Sequence, residues 1–144
     1  MLQSDLIDEI KGYINELKGV LSYEAIDLIN KTFDDSNDKD LYNLCNSLRF
    51  ISNCDADYIG IINTLVQADE INHIAFLDIE YHINEYLSDY TFYNMSLNEF
   101  ATYQITISDD IPGYIKPLID FDKYKGMLSE YGIIVSDFGI LYQD

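Results

Sequence analysis

The chain has 144 residues, the length of one domain, and 48% of them are hydrophobic, which is enough to build a core. Its 13 tyrosines and 7 phenylalanines exclude an acidic disordered chain, because such chains are poor in aromatic residues. The formal net charge is −18. Such acidity argues against direct binding to DNA, RNA or an anionic membrane, since all three require basic patches on the protein.

Hydropathy and cysteine content indicate a cytoplasmic protein. No stretch of 18 consecutive apolar residues is present, so no membrane span is expected. The first residues, MLQSDLIDEI, lack the basic and apolar regions of a signal peptide. Two cysteines, Cys45 and Cys54, fit a reducing compartment, and we expect them to be ordinary buried side chains rather than a disulfide or a metal site.

Apolar residues at helical spacing predict five helices before residue 90. These are a helix capped by Ser4 and stopped by Gly19, a helix from Ser22 to about Phe33, a helix carrying Leu41 to Leu48, a helix capped by Asp55, and a helix over about 71–88. The run DDSNDKD (34–40) predicts a loop between the second and third helices.

The pattern changes after Thr91. Ser96 predicts a short helix through Phe100, whereas TYQITI (102–107) fits either a strand or a helix end. A turn at 108–113, a helix over 120–130 and a hairpin with strands at 133–135 and 139–142 follow. The sequence therefore predicts an α-rich α+β protein. It has an acidic helical body over 1–92 and a small C-terminal helix and hairpin module over 93–144, which can also form one continuous domain.

Positive charge is missing from the middle of the chain. The stretch FLDIEYHINEYLSDYTF (76–92) carries four carboxylates and no Lys or Arg, and the gap without either base runs from Ile51 to Ile115. Soluble helices normally interleave both signs, because opposite charges three or four residues apart stabilise each other. A single helix over 71–88 would place Asp78, Glu85 and Asp89 opposite its apolar side, together with His82.

The spacing of these carboxylates resembles that of DNA phosphates. Asp78 and Glu85 would lie about 10 Å apart along the helix axis, and Glu85 and Asp89 about 6 Å apart. The simpler interpretation is a solvated face of an acidic protein. Our hypothesis is that eight carboxylates substitute for phosphates toward a partner protein: Asp55, Asp57, Asp69, Glu70, Asp78, Glu80, Glu85 and Asp89.

Motifs for catalysis are not found. The sequence has no P-loop, no dinucleotide fingerprint and no Gly-x-Ser-x-Gly elbow. His73 and His82 are not spaced as a zinc motif and would need carboxylate partners such as Asp69 or Asp78. We expect no catalytic residue, no metal and no cofactor. A small metal-dependent hydrolase using the two histidines is the minor alternative.

The segment IPGYIKPLIDFDKYKGMLSEYGIIVSDFGIL (111–141) resembles the C-terminal segment of ArdA-type antirestriction proteins. SLNEFATYQI (96–105) is similar to the helix that precedes this segment in the family. Lys125-Gly126-Met127 replaces the family's Gly-Arg-Asp, and the family's N-terminal Gly and Trp motifs are missing from a chain that has no Trp. The matching positions are Pro112, Ile119, Asp120, Phe121, Tyr124, Leu128 and Gly139.

The resemblance implies an elongated, acidic and usually dimeric protein of phages or mobile elements. Its carboxylates would imitate the phosphates of bent B-form DNA and occupy the DNA-binding cleft of a type I restriction–modification enzyme in a bacterial host cell. A CRISPR effector is an alternative target, because its nucleic-acid channel is also basic. An acidic adaptor or regulator that binds a basic protein without imitating DNA is an alternative of another class. Phe121, Tyr124, Phe138 and Tyr142 predict a core or, alternatively, a dimer interface.

Overall fold

The computed structural model describes residues 3–130 and 132–143, which form seven α-helices, two 3₁₀ helices and a three-stranded sheet. The predicted α-rich α+β class is confirmed. The α-helices are α1 (Gln3–Leu17), α2 (Tyr23–Asp35), α3 (Asp38–Ser52), α4 (Ala56–Gln67), α5 (Ile79–Asp89), α6 (Leu97–Ile107) and α7 (Phe121–Glu130). The strands are β1 (Tyr90–Tyr93), β2 (Ile133–Ser136) and β3 (Gly139–Gln143), and the 3₁₀ helices cover His73–Leu77 and Lys116–Leu118.

Short polar side chains begin three helices where the sequence predicts them. Ser22 Oγ accepts a hydrogen bond from a backbone N–H in the first turn of α2 at 3.2 Å. Asp55 Oδ1 does the same for α4 at 2.9 Å. At α6, Ser96 and Glu99 form a reciprocal capping box. Each bond satisfies a backbone donor that has no partner inside the helix.

Two local predictions are wrong. Ser4 lies inside α1 and is not its N-cap, because the described helix already includes Gln3. The loop predicted over 34–40 shrinks to Ser36 and Asn37, between the end of α2 and the start of α3. Asn37 Oδ1 accepts the N–H of Asp40 at 2.9 Å and so begins α3 within the predicted loop.

The helix predicted over 71–88 is two elements. The 3₁₀ helix His73–Leu77 ends at Asp78, whose φ of −155° and ψ of 56° are not helical, and α5 begins at Ile79. The N–H of Ile79 donates to the buried Ser47 Oγ of α3 at 3.3 Å. A tertiary hydrogen bond therefore replaces the bond that a continuous helix would make, and periodicity alone could not indicate this break.

The apolar side predicted for this segment does face the core. Phe76, Ile79 and Ile83 are fully buried, and Tyr86, Leu87 and Tyr90 pack against the same core. The core lies among α1 to α5, where α1 packs mainly on α3, and the 3₁₀ helix 73–77 packs on α2 and α3. Its large buried side chains are chiefly Leu and Ile.

The sheet lies between two cores. Its order is β1-β3-β2 with antiparallel pairing, and Leu141 of the central strand pairs with Phe92 on one side and Ile134 on the other. These three side chains belong to the first core, whereas Ile140, the next residue back along β3, belongs to the second. A strand buried on both faces needs a continuous apolar run, which GILY supplies.

The second core lies under α6 and α7. Phe100 is fully buried there, with its ring 5.0 Å from that of Tyr93 and 5.2 Å from that of Tyr142. Phe121 and Tyr124 pack against the same cluster. Phe121, Tyr124 and Tyr142 therefore support the predicted core, whereas the half-buried Phe138 belongs to neither core of the described residues. Strand β1 was not predicted. It pairs with β3, so the sheet connects the end of the predicted helical body (1–92) with the predicted C-terminal module (93–144).

Residues 102–107, which fitted either a strand or a helix end, are helical because α6 extends to Ile107. The hydroxyls of Thr102 and Thr106 donate to carbonyls one turn earlier at 2.9 and 2.8 Å, so these β-branched residues are accommodated in a helix. No helix in the described residues is both long and apolar enough to cross a bilayer.

Candidate functional site

All eight carboxylates that the sequence predicts as phosphate substitutes are exposed. None forms an ion pair with a basic side chain of the described residues. We call these residues the central carboxylates. They lie at the ends or along the exposed sides of α4 and α5, in the order Asp55 and Asp57 (start of α4), Asp69 and Glu70 (after α4), Asp78 and Glu80 (start of α5), and Glu85 and Asp89 (second half of α5).

Cys54 lies within the electrostatic reach of two of the central carboxylates. Its half-buried thiol is free, and burial raises its pKa to about 11, with further contributions from the negative charges of Asp55 and Glu80. These two carboxylates are distant in sequence, yet both act on one thiol between α3 and α4. Negative charges at the start of α4 and at the start of α5 therefore both act on this thiol.

Tyr86 links a second pair of central carboxylates. Its hydroxyl donates to Glu70 Oε2 at 3.0 Å and also lies 3.3 Å from the backbone oxygen of Glu70. Burial raises the pKa of Tyr86 to about 12, helped by the hydrogen bond to Glu70 and by the charge of Glu85. The turn after α4 thus lies against the second half of α5.

Tyr81 holds Glu85 from the preceding turn of α5. Its hydroxyl donates to Glu85 Oε1 at 2.7 Å, and this bond raises the pKa of Tyr81, with a smaller contribution from the charge of Asp78. The ring of Tyr81 also contacts His82 edge-on, with centroids 5.8 Å apart. Two exposed carboxylates, Glu70 and Glu85, therefore have their positions restricted by tyrosine hydroxyls.

The predicted helical row of Asp78, Glu85 and Asp89 is only partly realised. Asp78 precedes α5 in a non-helical conformation and makes no capping bond with its side chain. Glu85 and Asp89 remain one turn apart on α5 and border an open surface depression with Tyr86, Ser88 and Tyr90. Asp57 and Asp69 are also exposed, and Asp69 directly precedes the tyrosine-linked Glu70.

The tyrosines are the site residues that sequence reasoning missed. A Tyr followed four residues later by Glu, as at Tyr81 and Glu85, was a usable signal because side chains at that spacing meet on a helix. The contact between Tyr86 and Glu70 had no sequence signal, since it depends on how α5 packs beside the end of α4.

Helix ends add to the unbalanced negative charge. Among the seven α-helices of the described residues, α3 alone has a basic residue in its last turn, Arg49. Helix α5 instead ends with Asp89, and α2 with Asp34 and Asp35. Carboxylates at a helix C-terminus are unfavourable, because the macrodipole is negative there. The exposed carboxylate of Asp89 therefore has no evident stabilising role in the fold.

Two basic residues, Arg49 and Lys125, pair with acids outside this surface. Arg49 Nη2 lies 2.8 Å from Glu9 Oε1, and this bond raises the pKa of Arg49 and lowers that of Glu9. Lys125 lies 3.6 Å from Asp122, and its ammonium donates to Asn98 at 2.7 Å. These contacts leave the surface of α4 and α5 without a counter-charge from the described residues.

The two histidines lie in different surroundings. His73 Nε2 is 3.6 Å from Asp35 Oδ2, whereas His82 contacts the ring of Tyr81. Within residues 3–130 and 132–143, no three His, Cys, Asp or Glu side chains are arranged to hold a metal ion. The arrangement around each histidine gives no geometric support to a shared metal centre.

The residues that resemble the antirestriction family mostly hold the C-terminal fold. Asp120 Oδ1 accepts the N–H of Lys123 at 3.2 Å at the start of α7. Gly139 begins β3 with a φ of 150°. Phe121, Tyr124 and Leu128 pack in the second core, Ile119 is half-buried, and Pro112 is exposed in the turn before the 3₁₀ helix 116–118.

Comparisons with protein-family models, with curated proteins and with solved structures find no match to this chain.

Proposed function

We propose that this protein is an acidic DNA mimic that inhibits a host defence nuclease by occupying its DNA-binding cleft. The target we propose is a type I restriction–modification enzyme. The observation that carries the proposal is the set of eight exposed central carboxylates, which have no ion pairs among the described residues. They lie within a stretch without Lys or Arg from Ile51 to Ile115.

Electrostatics explains how such a surface would bind. DNA-binding clefts carry Lys and Arg that pair with phosphates, and carboxylates form the same charge-assisted hydrogen bonds, often with both oxygens on one Arg. The hydroxyls of Tyr81 and Tyr86 already restrict Glu85 and Glu70. Carboxylates that are ordered before binding lose less conformational entropy on contact with a partner.

The protein would act by binding and not by catalysis, in the cytoplasm of a bacterial host cell. The resemblance of residues 111–141 to ArdA-type antirestriction proteins supports this proposal independently of the charge distribution. The family's Arg-Asp pair is replaced here by Gly126 and Met127. Recognition would therefore rest on the central carboxylates of α4 and α5, and not on that pair.

A pull-down from host lysate tests the mechanism, performed with and without excess duplex DNA and at low and high salt. Capture of a restriction–modification complex that DNA and salt both release would support mimicry. Capture of a CRISPR effector with the same behaviour would keep the mechanism and change the target. Capture of a partner that DNA does not displace would contradict mimicry and indicate an acidic adaptor.

Charge reversal tests the surface. We expect the combined change Asp78→Lys, Glu85→Lys and Asp89→Lys to weaken binding by at least about a hundredfold, although each exposed pair contributes only about 0–1 kcal/mol. Two of the three side chains make no bond within the described chain, so the fold should persist. Titration calorimetry with the captured partner measures the effect.

The matched control reverses three exposed carboxylates of α1 and α2, Asp8→Lys, Glu16→Lys and Asp27→Lys. It changes the net charge by the same amount and should weaken binding much less. Equal losses in both variants would mean that net charge alone drives association. Unchanged binding in the first variant would place the interface elsewhere.

A further inference from the structure

A cleft between α1 and α2 concentrates the groups that an anionic ligand needs. Its volume is about 590 Å³, and it is open to solvent. Helix α1 and the residue after its end contribute a stripe at helical spacing, and α2 contributes two polar side chains and an aromatic ring. The residues are Lys11 and Asn15 from α1, Lys18 directly after its end, and Asn30, Phe33 and Asp34 from α2.

The polar side chains of this cleft have no partners in the fold. Lys11, Lys18, Asn15 and Asn30 make no side-chain hydrogen bond or ion pair with the described residues. The chain has 26 acidic residues, so carboxylates are abundant elsewhere on its surface. Two unpaired ammonium groups and two unpaired carboxamides around one cleft are therefore available to a ligand.

Gly12 keeps one side of the cleft open. It lies in the middle of α1, and a Cβ placed there would meet no atom within 4 Å. A glycine inside a helix costs about 0.5–1 kcal/mol relative to alanine. Packing does not require the glycine, whereas an open cleft does benefit from a missing side chain.

We propose that this cleft binds a small nucleoside phosphate. Lys11 and Lys18 would bind the phosphate as point charges on flexible stems. The half-buried Phe33 ring would contact the flat face of the base, and the amides of Asn15 and Asn30 would bond its edge.

Asp34, the one carboxylate of the cleft, would accept a hydrogen bond from a sugar hydroxyl. This site uses α1 and α2 and none of the central carboxylates. The nucleotide-binding proposal is therefore independent of the proposed DNA mimicry.

Titration calorimetry on the full chain at low ionic strength tests the ligand class. The probes are adenosine 5′-monophosphate, guanosine 5′-monophosphate, adenosine and inorganic phosphate. We expect at least one nucleotide to bind with a Kd of about 1 mM or tighter, and adenosine and phosphate to bind at least about tenfold more weakly. Absence of nucleotide binding would overturn the proposal. Phosphate binding as tight as nucleotide binding would show that the cleft binds anions without recognising a nucleoside. This result would also overturn the proposal.

Substitutions locate the site. Lys11→Ala with Lys18→Ala should weaken nucleotide binding at least about tenfold, and Gly12→Leu should weaken it by obstructing the cleft. The control, Lys31→Ala with Lys39→Ala, removes the same charge from exposed lysines outside the cleft and should change binding less than about twofold. Circular dichroism checks the fold of each variant. Equal losses in both double variants, or full binding by a folded Gly12→Leu, would contradict a site in this cleft.

Discussion

Gly139 shows how one residue sets the junction between the sheet and both cores. Its φ of 150° is a conformation that side chains rarely adopt, and a Cβ there would lie 2.8 Å from the carbonyl oxygen of Tyr93 and 2.6 Å from the ring of Phe92. We expect Gly139→Ala to lower the free energy of unfolding by about 1–3 kcal/mol, measured by urea denaturation.

A second glycine supplies the control for this prediction. Gly126 lies within α7, and a methyl group added to its Cα would meet no atom within 4 Å. Gly126→Ala should therefore stabilise the protein by about 0.5–1 kcal/mol through helix propensity. If Gly139→Ala were as stable as the native protein, that result would contradict the positive φ and the close contacts of Gly139.

Tyr86 gives a pH-dependent test of the contact that joins α5 to the end of α4. Burial and the Glu70 bond raise the pKa of Tyr86 from 10.0 to about 12. A phenol whose pKa is higher in the folded state adds stability that is complete below pH 10, and this stability is lost as the pH rises toward 12. We expect Glu70→Gln to lower the pKa of Tyr86, while burial keeps it above the ordinary value.

The measurement is a titration of Tyr86 followed by carbon NMR of labelled tyrosine. The control is Glu24→Gln, an exposed change on α2 that should leave the titration of Tyr86 where it is. A Tyr86 titration that is the same in Glu70→Gln and in the native protein would mean that the two side chains are not bonded in solution.

Helix α5 carries carboxylates at both ends, and the macrodipole predicts opposite consequences for them. Glu80 lies in the first turn, where negative charge is favourable, and Asp89 lies in the last turn, where it is not. We expect Asp89→Lys to be more stable than Glu80→Lys by about 0.5–2 kcal/mol in thermal unfolding. Both variants change the net charge equally, so each is the control for the other.

This comparison also bears on why the sequence keeps Asp89. If Asp89→Lys stabilises the protein and weakens partner binding, the carboxylate is retained for binding at a cost in stability. A stability order opposite to the expected one would show that local contacts outweigh the helix dipole at the ends of α5.

Elements defined by local signals were predictable from the sequence, and elements defined by distant contacts were not. Ser22, Asp55 and Ser96 begin helices where short polar side chains should. The hairpin of β2 and β3 was likewise predictable from its apolar runs and turn. Strand β1 has only four residues, YTFY, and forms because β3 offers it a pairing edge.

In the candidate site, too, one property was predictable from the sequence and another was not. The composition predicts that acidic side chains stay exposed, because burying unpaired charge is costly, and all eight central carboxylates are exposed. Their arrangement depends on the break at Asp78 and on the tyrosine contacts, both of which need the tertiary fold. Sequence therefore indicates which residues form the acidic surface, whereas packing decides which of them are neighbours.

At the scale of the whole molecule, the net charge of −18 makes folding and binding respond oppositely to salt. Self-repulsion destabilises the folded state, and salt screens it as the Debye length falls from about 30 Å at 0.01 M to about 3 Å at 1 M. We expect the free energy of unfolding in urea to rise with NaCl concentration over that range. Affinity for a basic partner should fall over the same range, because the same ions screen the attraction.

The variant that carries Asp8→Lys, Glu16→Lys and Asp27→Lys separates screening from other effects of salt. Three reversals of two charges each change −18 to −12, so screening predicts a smaller rise in stability with NaCl for this variant. An equal rise in the variant and in the native protein would assign the effect to changes in hydration, since hydration does not depend on these three charges. A stability that falls with salt would mean that attractive ion pairs such as Arg49 with Glu9 outweigh repulsion in the whole molecule.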